Sequence, residues 1–159
     1  MGSSWVACDS NGSDLDPSAP DVESAQFGIF FGGQIQARRE IPFNLNAAKQ
    51  RLGFRILFSE PPRVDTAIHW ELTKPGPPTG PEKLAKPGQR VTQLGQATIP
   101  RGSTRFDQDL SFAPGDPLGL WNLRVTLGNR VLIDRPFSVY DADARRAARR
   151  TLRKADAGL

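Results

Sequence analysis

The sequence predicts an all-β protein: an immunoglobulin- or fibronectin-III-like antiparallel β-sandwich followed by a short basic C-terminal helix. Three observations carry that expectation. Gly and Pro number 15 and 14 in 159 residues, so turn residues interrupt the chain too often for long helices. Between them, apolar residues alternate with period two over short runs, as half-buried strands require. After Tyr140 the pattern changes to a run holding Arg145, Arg146, Arg149, Arg150, Arg153 and Lys154 at helical spacing. These shifts divide the chain into a flexible acidic N-terminal arm (1–25), a sandwich domain (26–140) and a basic helix or tail (141–159).

Taken in order, residues 1–25 are rich in Ser, Asp, Gly and Pro. They carry Asp9, Asp14, Asp16, Asp21 and Glu23 with no Lys or Arg, as a tether does. "QFGIFFGGQIQ" opens the β region, and Gly28, Gly32 and Gly33 suggest a bulge or a close backbone approach. "EIPFNL" continues extended, and "NAAKQR" fits one helical turn. In "GFRILFS" Phe54, Ile56 and Phe58 alternate with Arg55 and Leu57. In "TAIHWELT" Ile68, Trp70 and Leu72 face one side, and Ala67, His69, Glu71 and Thr73 the other. Residues 74–89, with five prolines, read as a long loop. "QRVTQLGQATIP" and "STRFDQDLSF" read as strands, and "PGDPLG" as a turn. "LWNLRVTL" places Trp121, Leu123, Val125 and Leu127 inward. Gly128-Asn129 is a two-residue hairpin signal, and "RVLIDRPFSVY" returns as the last strand. The count is seven or eight strands, with Trp70 and Trp121 as the large core anchors.

Several phrases resemble an uncharacterised bacterial family, domain of unknown function 3859. They are "AQFGIFFGG", "REIPFNLNAAKQRLGFRILFS" and "GDPLGLWNLRVTLGNRVLIDRPFSVYD". Ile41-Pro42 and Gly53-Phe54-Arg55 match its first phrase. Trp121, Gly128, Arg130, Leu132, Phe137, Val139 and Tyr140 match its closing one. The resemblance covers about residues 25–141. It implies a β-sandwich and no assigned activity.

The chemistry-bearing residues are few. One cysteine, Cys8, excludes an internal disulfide and a thiolate-rich metal site, and one histidine, His69, excludes a two-histidine motif. A Cys8–His69 dyad would need a polar arm to meet a strand in space. Asp9, Asn11, Asp14 and Asp16 have the oxygen density of a calcium loop but lack its bidentate Glu and its spacing. Asp107 and Asp109 share one face of a strand. Alternation with Phe106 and Leu110 makes that a solvent face rather than an acid–base pair. No phosphate loop or nucleophile elbow occurs. The expectation is therefore a non-enzyme with no metal and no cofactor.

Two features point to partners. Ala7-Cys8-Asp9 resembles a lipoprotein cleavage site, with Cys8 the thiol that would take a lipid; this needs a start upstream of Met1 to supply the basic and apolar regions of a signal peptide. The expected setting is then the periplasmic side of a bacterial cell envelope, with a cytoplasmic setting as the alternative. In the C-terminal helix Ala144, Ala148, Leu152 and Ala155 form a thin stripe flanked by two basic rows, Arg145/Arg149/Arg153 and Arg146/Arg150/Lys154. That helix is either a solvated tail or a docking element. An acidic protein surface is the favoured partner and a glycan the second candidate for the module. Nucleic acid is disfavoured because no aromatics interleave with the arginines. A membrane would be met only through the lipid anchor or by peripheral contact, since the stripe lacks large apolar anchors. The leading function is a non-catalytic binding or accessory module of the cell envelope. The alternative is a cytoplasmic interaction protein whose helix docks on an acidic partner or nucleic acid.

Overall fold

The computed structural model describes residues 19–76 and 90–158. Among these residues there are nine strands and one helix: β1 (Asp21–Phe31), β2 (Gln34–Ala37), β3 (Glu40–Pro42), β4 (Arg51–Glu60), β5 (Thr66–Pro75), β6 (Arg90–Ile99), β7 (Arg105–Leu110), β8 (Gly119–Leu127), β9 (Arg130–Tyr140) and α1 (Ala142–Ala157). Two sheets form, a four-stranded one in the order β2-β1-β4-β7 and a five-stranded one in the order β3-β9-β8-β5-β6. All pairings are antiparallel except β3 with β9, where the chain leaves the first sheet and joins the second alongside its last strand.

On β8 the alternation read from the sequence is the alternation of burial, whereas on β4 Leu52 to Ile56 are all buried, Arg55 among them. Leu52, Phe54, Ile56 and Phe58 on β4 and Trp121, Leu123, Val125 and Leu127 on β8 are all buried in one core. Ile68, Leu72, Ile133, Phe137 and Val139 complete the layer between the sheets. Phe27 meets Phe137 across it at 4.8 Å, and Trp121 lies 5.9 Å from Phe137 and 5.4 Å from Phe112. Such tilted and edge-on aromatic pairs contribute beyond their buried area. Trp121 is thus a core anchor. Trp70 is only half-buried. Its ring meets Phe54 edge-on at 5.7 Å and lies over Gly95 of β6, where a Cβ would collide with the indole. β6 is the last strand of its sheet, so the outer rim of the indole reaches the border of the core.

Three local differences separate the structure from the sequence reading. β1 begins at Asp21, inside the stretch read as an arm, because Val22 and Ala25 already pack on the core and the backbone pairs with β4 through a bulge. Residues 1–18, including Cys8 and the calcium-like run Asp9, Asn11, Asp14 and Asp16, lie outside the described residues. "QFGIFFGGQIQ" is a hairpin and not one bulged strand, which raises the strand count to nine. Gly32 and Gly33 turn it with φ of 58° and 79°, a pair of positive values that side chains resist. Gly28 provides the close approach, since a Cβ there would strike the Gln36 carbonyl. Finally, β5 continues to Pro75, into the expected loop, while 77–89 lies outside the described residues. Asn46 closes the single turn in "NAAKQR", its carbonyl accepting from the Lys49 and Gln50 amides.

Candidate functional site

The helix starts where β9 ends. Asp141 is extended, with φ −83° and ψ 113°, and its carboxylate accepts from the Asp143 and Ala144 amides. That is an N-cap, and with Asp143 it places negative charge at the positive end of the helix dipole. Lys154 in the last turn complements the other end. Sixteen residues follow with none buried. The Ala144, Ala148, Leu152 and Ala155 stripe is open, and Leu152 is 66% exposed, so the helix does not bury this face against its own sandwich.

What fixes the helix is its first turn. Arg145 donates from both terminal nitrogens to Glu40 of β3, at 3.1 and 3.2 Å, and its guanidinium stacks on the Tyr140 ring at 3.8 Å. Glu40 pairs with Ser138 in the β3–β9 ladder and Tyr140 ends β9, so this clamp ties the helix root to the sheet. The Arg145 hydrogen bonds hold the Glu40 carboxyl below its ordinary range, and Arg149 lowers it slightly further. A two-toothed guanidinium–carboxylate pair has fixed orientation as well as charge. Arg145 is therefore engaged inside the molecule, unlike its neighbours in the sequence. Arg146 has a long contact of 3.7 Å with Asp143, three positions before it. Arg146, Arg149, Arg150, Arg153 and Lys154 are all exposed.

A second cluster went unrecognised in the sequence. On the outer face of the four-stranded sheet, Arg55 donates to both oxygens of Asp107, at 2.7 and 2.9 Å, and to the Gly33 carbonyl at 2.8 Å. Arg51 donates to Asp109 at 2.7 Å and lies over the Phe30 ring at 4.4 Å, with Arg55 at 5.4 Å. Arg55 and Asp107 are direct partners in the β4–β7 register. Asp107 is not on an open face, because its side chain is 15% exposed. Hydrogen bonding and charge from Arg55 hold its carboxyl below the usual range. General acid catalysis needs the opposite shift, and both oxygens are occupied. The cluster is a latch that joins β7, β4 and the β1–β2 turn.

His69 sits exposed on the outer face of β5, beside a shallow depression of about 430 Å³ bordered by Glu71, Leu94, Gln96 and Thr126. Among the described residues no group of three or more His, Cys, Asp or Glu side chains is placed to hold a metal ion, and no helix is long and apolar enough to cross a membrane.

No family model matches the chain, and no curated protein matches it. Among solved structures it is similar to an immunoglobulin-like protein from Pseudomonas aeruginosa. The identity is 24%, the match covers 76% of this chain and 95% of that one, and the TM-score is 0.52. The likeness shows the fold: this chain is an immunoglobulin-like β-sandwich with a C-terminal helix.

Proposed function

We propose that this protein is a non-catalytic binding or accessory module of a bacterial cell envelope, and that α1 is its docking element for an acidic protein surface. One observation carries the reading. The first turn of α1 is clamped to the sandwich by Arg145, Glu40 and Tyr140, while Arg149, Arg150, Arg153 and Lys154 beyond it stand exposed. A solvated tail needs no such clamp, whereas a docking element gains from a fixed root because less freedom is lost on binding. The immunoglobulin-like fold is compatible with this role, being widely used for binding rather than chemistry. Support for the envelope setting is the Ala7-Cys8-Asp9 pattern, with Cys8 as the acylation site. The resemblance to the uncharacterised family is carried by the sequence phrases quoted above and adds no activity to this reading.

Affinity built on exposed charge falls steeply with salt. The test is binding of the full chain to poly-glutamate, duplex DNA and anionic vesicles across a salt series. Salt-sensitive binding to poly-glutamate, lost in R149E/R150E/R153E with an unchanged melting temperature, supports the reading. Preferential binding to DNA favours the cytoplasmic alternative, and no binding to any of the three returns α1 to a solvated tail. Intact mass of the protein from its native host tests the anchor. Acyl mass on an N-terminal Cys8 is expected, and an unmodified Cys8 removes the anchor.

A further inference from the structure

A β-sandwich has four sheet edges, and three of those described here are guarded. β2 has four residues and β3 has three, the latter ending in Pro42. β7 is short and carries Arg105, Asp107 and Asp109. Short, charged or proline-bearing edges resist pairing with another chain. β6 is different. It is ten residues long, pairs with β5 without a register shift, and has no proline and no charged residue from Val91 to Ile99. Among the described residues no strand pairs with its other side. Leu94 stands mid-strand, 74% exposed, and Val91 is 47% exposed. An unguarded edge bearing exposed apolar residues is a template for another strand.

We propose that two copies of this chain associate through β6, edge to edge and antiparallel about a two-fold axis, joining their five-stranded sheets into one. The sequence of β6 suits a second copy of itself. Residues that face each other across a pair must lie on the same face of the sheet, so only registers that match odd with odd and even with even positions are allowed. The two most central ones place either Leu94 or Gly95 on the axis. The Leu94 register sets this exposed leucine against its own copy and Val91 against Ala97, so apolar surface is covered on both faces. Thr92 then meets Gln96, and Arg90 meets Thr98, so no like charges are opposed. The other central register leaves Leu94 against Gln96. A single strand pair buries little area, so the dimer is weak and dependent on concentration.

Analytical ultracentrifugation from low micromolar to millimolar protein tests this. The wild type shifts from monomer toward dimer as concentration rises. L94K and L94E each place like charges face to face at the axis and raise the dissociation constant by roughly tenfold or more. An equimolar mixture of L94K and L94E recovers the dimer, because opposite charges now meet. Leu94 is exposed, so circular dichroism of both variants stays that of the wild type. A wild type that remains monomeric across the range overturns the proposal. So does a dimer that L94K leaves intact, or a mixture that stays monomeric, since each excludes Leu94 from a two-fold axis.

Discussion

Trp121 is enclosed by Phe112, Phe137 and the Lys74 side chain, whose ammonium sits 4.9 Å from the ring, and its Nε1 donates to the Pro117 carbonyl. Truncation to alanine removes all of this from a site that is 1% exposed. Trp121→Ala is therefore expected to cost about 3–5 kcal/mol, read from denaturant midpoints. Trp70→Ala should cost less, about 1–2 kcal/mol, because its indole is partly in water already. Equal losses would mean that the border of the core is as tightly packed as its centre. The Arg55–Asp107 pair gives a prediction in pH. The folded-state pKa of Asp107 is depressed by Arg55, so its contribution is fully present above the unfolded carboxylate value of about 3.9. It is lost as pH falls through the lower folded value. Asp107→Asn should lower stability at neutral pH by roughly 1.5–3 kcal/mol, the scale of hydrogen bonds to a charged group. It should also flatten the decline of stability in acid, and an acid limb as steep as the wild type's would count against the latch.

At the scale of elements, α1 buries none of its residues, so its stability is local. Helices of this length are marginal in water without tertiary support, which makes the cap and the clamp decisive. Asp141→Ala should remove about 0.5–2 kcal/mol of helix stability. Helical circular dichroism should fall while the cooperative melt of the sandwich stays in place. A coincident loss of both would show that the helix is packed more firmly than its exposure indicates. A strand with regular alternation, such as β8, was legible from the chain because burial on one face of a sheet imposes period two, whereas on β4 Arg55 is buried as well by its pairing with Asp107. The β1–β2 hairpin has its signal in Gly32-Gly33, but apolar residues continuing on both sides make the same pair fit a bulge. β3 was less so: three residues specify nothing locally, and the parallel pairing with β9 decides their place. The two ion-pair clusters were hidden for the same reason. Arg55 meets Asp107 across 52 positions and Arg145 meets Glu40 across 105, and no local pattern reports a partner that far away. Only half of each was visible, the Asp107/Asp109 pair in one case and the arginine rows in the other.

At the scale of the whole molecule, the sandwich holds α1 by its root through the Arg145–Glu40 pair and the Tyr140 ring. Net charge is +4, but the exposed cations of α1 concentrate positive charge at one end. On the proposed reading, that arrangement would steer acidic surfaces toward the helix. It also separates the two surfaces described here, since β6 and β3 occupy opposite edges of the five-stranded sheet and α1 is clamped at β3. A dimer formed through β6 would leave both helices available. The most direct test of the central claim is an NMR titration of the isotopically labelled full chain with poly-glutamate at low salt, following every backbone amide. The expected result is shifts confined to about residues 146–158, with the sandwich unmoved, that vanish at high salt and in R149E/R150E/R153E. Shifts centred on the strands, or none at all under conditions where the helix remains folded, would contradict the assignment of α1 as the docking element.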